Sequence, residues 1–115
     1  MRALSTIAAV LMLLAITPAR ATVTGNDLKQ DCDAPDASPG AMYCLAYETG
    51  VLDAIRGLDS VSAHPQLCTP AGVTGEQLLA MLRKYLADHP ERLHYLASSL
   101  IEDMYAESFG CKKLP

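Results

Sequence analysis

The sequence predicts an all-α fold: a compact four-helix domain braced by two disulfides, following a cleaved signal peptide. Three observations carry this. Apolar residues recur at helical spacing through several long stretches, and the two-residue alternation of half-buried strands is nearly absent. Clusters of Pro, Gly and Ser separate those stretches. Four cysteines follow an N-terminal segment built like an export signal, and an even number in a small exported chain reads as a disulfide framework.

The chain opens MRALSTIAAVLMLLAITPARATV. Arg2 supplies a positive n-region, Ala3 to Ile16 a mostly apolar h-region, and Ala19-Arg20-Ala21 the small residues that a signal peptidase reads. The apolar run is too short for a membrane span, which needs about 20 residues. The predicted organisation is therefore a secretory signal over 1–21, cut after Ala21, and one helical domain over 22–115. Cleavage leaves 94 of the 115 residues and takes the formal charge from −4 to −6, because Arg2 and Arg20 depart. An acidic domain of this size buries one small core, and the lack of a basic patch argues against nucleic acid or an anionic membrane surface as partner.

The first helix is short. Thr24, followed three residues later by Asp27, has the form of a capping box, and Leu28 and Cys32 share one face. DAPDASPG (33–40) ends it, since Pro and Gly there cannot continue a helix. A second helix is predicted from about Ala41 to Leu58. Its stripe is Cys44, Tyr47, Val51, Ala54, Ile55 and Leu58, widened by Leu45 and Leu52. Gly50 inside it suggests close backbone packing. A loop, LDSVSAHPQLCTPAG, then carries Cys68. The third helix begins after Thr74, an N-cap with Gln77 completing a box, and buries Leu78, Leu79, Leu82, Tyr85 and Leu86. The fourth is predicted from about Pro90 to Ser108, with Leu93, Leu96, Ala97, Leu100, Ile101, Met104 and Tyr105 inward and Gly110 as its stop.

LADHPERLH (86–94) holds two histidines, two carboxylates and an arginine around a proline. It reads as a corner between helices rather than a site. Pro90 suits the first helical position and pushes His89 out of helical geometry. Glu91 complements the helix dipole, and Asp88 or His89 can cap free amides. His89 and His94 are five apart and do not share a face as an i, i+4 metal pair would. If the third and fourth helices form an antiparallel hairpin, Cys68 lies beside Cys111, leaving Cys32 with Cys44. This is one of three possible connectivities. Zinc is the rival use of the cysteines, but no C-x-x-C pair occurs and no histidine has ligand spacing to a cysteine.

No catalytic, metal or cofactor motif emerges: there is no P-loop, dinucleotide glycine pattern, H-E-x-x-H or glycine-flanked serine elbow. Glu102 and Asp103 are adjacent in a helix and point about 100° apart, which suits a solvated face better than acid–base work. His64, His89 and His94 are the remaining candidates for a small metal-dependent enzyme, a reading with no motif behind it.

CLAYETGVLDAI (44–55), LCTPAGVTGEQLLAMLRKYLADHPE (67–91) and FGC (109–111) occur in that order. Together they resemble the Rap/Tai family of immunity proteins, small exported helical proteins of Gram-negative bacteria. The positions that carry the likeness are Cys44, Gly50, Asp53, Cys68, Pro70, Gly72, Val73, Tyr85, Leu86, His89, Pro90, Glu91 and Cys111, and they look like scaffold. Two departures stand out: Ala46-Tyr47-Glu48 replaces the usual glycine-tyrosine-isoleucine, and Gly110 stands where a proline is common. The resemblance implies a periplasmic protein, commonly a homodimer. It also implies a partner, an amidase effector of a type VI secretion system, whose active-site cleft the protein covers. Exposure and polarity suggest Asp59, Ser60, His64 and Gln66 in the long loop as contact residues, with Arg92 and His94 beside the corner. The alternative is a periplasmic stress or chaperone-like binding protein of the same fold, without an amidase partner.

Overall fold

The structure is a computed structural model that describes residues 22–111. The expected signal segment lies outside the described residues. Among the described residues four α-helices follow one another: α1 (Gly25–Cys32), α2 (Pro39–Ser60), α3 (Gly75–Asp88) and α4 (Ala97–Phe109). A single 3-10 turn, Pro90–Arg92, stands between the last two. Among the described residues the only extended pairing is two isolated bridges, Thr24 with Leu96 and Leu67 with Gly110.

Both predicted capping boxes form. The Thr24 hydroxyl accepts from the Asp27 amide while the Asp27 carboxylate accepts from the Thr24 amide. Thr74 and Gln77 do the same at α3. The second helix starts two residues earlier than its periodicity implied, at Pro39, because a proline at the first helical position loses no hydrogen bond and Ser38 caps behind it.

The core is one cluster to which every helix contributes. Leu28 and Cys32 of α1, Leu82 and Leu86 of α3, and Leu100, Ile101 and Tyr105 of α4 are all essentially inaccessible. The stripe predicted on α2 is only partly right. Ala54 and Leu58 are exposed, and the residues α2 buries are Ala41, Cys44, Glu48 and Leu52. The buried row runs through Cys44, Glu48 and Leu52 at i, i+4, i+8, so Ala54 falls off it, and Leu58 stands at a cleft opposite Glu102 and Ala106 of α4. Gly50 is also not a packing point, since a Cβ there would meet nothing within 4 Å.

The largest correction concerns the fourth helix, which does not run unbroken from Pro90. Leu96 is extended (φ −58°, ψ 134°), and α4 proper begins at Ala97. The interruption is used by α1. The Tyr95 carbonyl accepts from the Gly25 amide, the Leu93 carbonyl accepts from the Asn26 amide, and the Ala97 amide donates to the Val23 carbonyl. A continuous helix would have consumed those carbonyls internally and left the first amides of α1 without partners. Gly25 is required by this approach, because a Cβ would lie 2.9 Å from the Leu93 carbonyl oxygen.

At the corner, His89 ends α3, as the sequence suggested, but Pro90 opens the 3-10 turn rather than the fourth helix. The expected side-chain cap is missing, however: no side chain caps the turn, and Asp88 pairs with Lys84 one helical turn back. Arg83 joins the α1–α2 connection to α3. Its guanidinium donates to the carbonyls of Cys32 (2.6 Å) and Ala34 (2.9 Å) and to the Asp36 carboxylate (2.7 Å).

Candidate partner-binding surface

The disulfides are Cys32–Cys44 and Cys68–Cys111. The first ties the end of α1 to α2 inside the core, where both residues are fully buried. The second is reinforced by backbone pairing. The Cys68 amide donates to the Phe109 carbonyl (2.7 Å) and the Cys111 amide to the Gln66 carbonyl (3.0 Å), on either side of the Leu67–Gly110 bridge. The long loop between α2 and α3 is thereby fastened to the end of α4.

Asp59 fastens the same loop from the other side. Its two carboxylate oxygens accept from the amides of Gln66 and Leu67, each at 3.0 Å, folding the loop back over the end of α2. Ser60 turns inward along its own helix and donates to the Gly57 carbonyl. His64 is exposed, its backbone engaged on both sides by the Ser62 hydroxyl. Asp59 and Gln66 line a cleft of about 260 Å³ together with Ile55, Leu58, Leu67, Glu102 and Ala106. Beside it the C-terminal end of α2 presents Leu58 (71% exposed) and Val61 (85%). Neither was singled out from sequence as a contact residue, because Leu58 had been placed in the core stripe and Val61 lies beyond the predicted helix end.

The expected contact residues therefore fall into two groups. Asp59, Ser60, His64 and Gln66 gather near the C-terminal end of α4. Arg92 and His94 lie before its N-terminal end, and α4 itself is about 20 Å long. Arg92 is committed internally: it donates to the Tyr85 hydroxyl (2.6 Å) and to the Asp103 carboxylate, and it sits over the Tyr95 ring. The Asp103 bond raises its pKa further. His94 is exposed with its ring against Tyr95, at 4.2 Å between centroids. His89 packs on the Tyr85 ring and meets Glu91 at 3.3 Å. The Glu91 carboxyl is held below its ordinary range, first by a bond from its own backbone amide and then by His89. Among the described residues no three His, Cys, Asp or Glu side chains are grouped to hold a metal, and no helix is long and apolar enough to cross a membrane.

The family model of the Rap1a immunity proteins matches residues 24–111. The chain belongs to that family. No curated protein sequence and no solved structure matches it. The match runs from the Thr24 capping box to Cys111, so the Rap1a region takes in all four helices and both disulfides of this structure.

The core of this Rap1a domain encloses a carboxyl group that the apolar stripe of α2 gives no place to. Glu48 is completely buried, at the position where the Rap/Tai likeness usually shows isoleucine. Its Oε1 accepts from the Tyr105 hydroxyl (2.9 Å), while its Oε2 is buried without a hydrogen-bond partner among the described residues. Burial pushes the carboxyl up to about 7, against the lowering effect of the Tyr105 bond. The Tyr105 phenol is raised as well, by burial first and then by the Glu48 charge. A signal was present in the sequence: Cys44, Glu48 and Leu52 are spaced i, i+4, i+8 and must share a face.

Proposed function

We propose that this Rap1a protein is a periplasmic immunity protein. It binds a peptidoglycan-cleaving amidase effector of a type VI secretion system and covers the effector's active-site cleft. The observation that carries the reading is membership of an immunity-protein family across residues 24–111. Two features of the structure support it. The loop-bearing end of α2 offers exposed apolar side chains, Leu58 and Val61, beside a loop anchored by Asp59 and by the Cys68–Cys111 bridge. Such preorganisation reduces the ordering cost of association. Disulfides also suit an oxidising compartment, in keeping with residues 1–21 acting as an export signal cut after Ala21.

On this reading the effector contacts centre on Asp59, Ser60, His64 and Gln66 together with Leu58 and Val61. Arg92 is a brace for the corner rather than a contact, and His94 lies apart from the main surface. The domain acts as a homodimer and uses no cofactor, metal or catalysis of its own. The deciding experiment mixes disulfide-intact 22–115 with the amidase encoded beside it, or with a panel of related amidases. Capture at nanomolar concentration with loss of peptidoglycan cleavage is expected. Absence of capture by every amidase would defeat the proposal for this chain. Light scattering of the same preparation tests the dimer.

A further inference from the structure

We propose that Glu48 and Tyr105 form a proton-linked clasp between α2 and α4: the packed core around the pair is favoured while Glu48 carries its proton and destabilised when it ionises. The inference is independent of what partner the protein binds. It starts from geometry. Glu48 is inaccessible to solvent, and of its two oxygens one is served by a single phenolic O–H and the other by nothing among the described residues. An ionised carboxylate is stable inside a protein only with several donors or a cation around it. The neutral acid leaves one O–H unmatched, a far smaller cost than a nearly naked charge.

Tyr105 is the titratable group that meets Glu48, and among the described residues no charged side chain bonds to Glu48 from the elements packed against it. On α1, Lys29 pairs with Asp33 at the surface. On α3, Arg83 is turned to Asp36, Lys84 to Asp88, and the Tyr85 phenol meets Arg92. On α4, Asp103 is held by Arg92, while Glu102 and Glu107 are exposed. On α2 itself, Asp53 and Arg56 are exposed, and the charge of Arg56 acts on Tyr105.

The consequence for stability has a definite sign. A carboxyl whose folded value is raised, here from 4.5 to about 7, contributes its full stability below the unfolded value. That contribution is lost as pH rises through the folded value. The domain is therefore firmer in mild acid than at alkaline pH, the reverse of an acid-triggered chaperone that loosens as its carboxylates protonate. Glu91, whose carboxyl is lowered, acts on the acid side of the ordinary carboxylate range, outside this window.

The test uses the disulfide-intact chain and two readouts. Urea unfolding of the wild type should show an unfolding constant rising on the order of fiftyfold from about pH 5 to about pH 8. Glu48→Gln, which cannot ionise, should remove most of that rise whatever its own absolute stability. The difference between the two profiles cancels every other titrating group. Carbon NMR of the wild-type Glu side chains should show one carboxyl titrating near 7, with chemical-shift changes on α4 around Tyr105. This second readout needs no variant, so it decides the matter even if Glu48→Gln does not fold. A Glu48 carboxyl titrating in the ordinary range, or a Glu48→Gln profile parallel to the wild type, would overturn the clasp.

Discussion

Arg83 offers a clean separation of charge pairing from backbone satisfaction. It makes three bonds: to the carbonyls of Cys32 and Ala34, and to the Asp36 carboxylate. The Asp36 side chain is 85% exposed, so its attraction to Arg83 is largely screened, and an exposed pair of this kind is worth about 0–1 kcal/mol. The two carbonyls are different. They belong to the segment leaving α1, whose last carbonyls lack partners inside the helix, and each receives a charge-assisted bond worth about 1.5–3 kcal/mol when intact. Water can reach part of this region, since the Arg83 side chain is 29% exposed, and it would recover some of that loss. Arg83→Ala should therefore cost roughly 2–3 kcal/mol, and Asp36→Asn at most about 0.5 kcal/mol. Arg83→Lys should fall between them, because an ammonium cannot span both carbonyls and the carboxylate as the planar fork does. Urea denaturation followed by circular dichroism at two salt concentrations measures all three. If Asp36→Asn costs as much as Arg83→Ala, or if added salt erases the Arg83 effect, surface charge rather than carbonyl satisfaction holds the connection and the reasoning fails.

Other perturbations have equally definite outcomes. Gly25→Ala should destabilise by about 1–2 kcal/mol despite alanine's better helix propensity, because its Cβ would meet Leu100 and the Leu93 carbonyl; thermal melting checks this. Loop closure alone ranks the Cys68–Cys111 bridge, with its sequence separation of 43, above Cys32–Cys44 with 12. Burial reverses that order. Serines at 32 and 44 would place two hydroxyls in the core at about 1–3 kcal/mol each, so C32S/C44S should be less stable than C68S/C111S in parallel urea titrations. Leu58→Asp with Val61→Asp should leave stability within about 0.5 kcal/mol and weaken effector capture at least tenfold in a binding titration. Unchanged affinity would remove the end of α2 from the proposed contact surface.

Much of this architecture was legible in the chain because its determinants are local. The Thr24 and Thr74 capping boxes lie within four residues of the amides they serve, and Pro39 and Pro90 act on their immediate neighbours. Leu78, Leu82 and Leu86 mark the buried face of α3 by spacing alone. The larger misreadings involve partners distant in sequence. The apolar pattern from Leu93 to Tyr105 fits one helix, and nothing within it reveals that Val23, Gly25 and Asn26 take three of its backbone groups. The exposure of Leu58 follows from the cleft that separates it from Glu102 and Ala106 of α4. Asp59 looked like a free loop carboxylate until the chain folded and aimed two amides at it.

By itself, then, the sequence determined the helical class, the number of helices, the caps of α1 and α3 and the family, since each is written in short-range periodicity, spacing or motif order. Tertiary structure alone decided where α4 begins, which of the possible disulfide pairings forms, which end of α2 lies uncovered, and that Glu48 is sealed against Tyr105. The physical reason is common to all four. Burial and hydrogen-bond satisfaction are properties of what lies across the core, and the residues that meet there, such as Glu48 with Tyr105 or Val23 with Ala97, are far apart in the sequence.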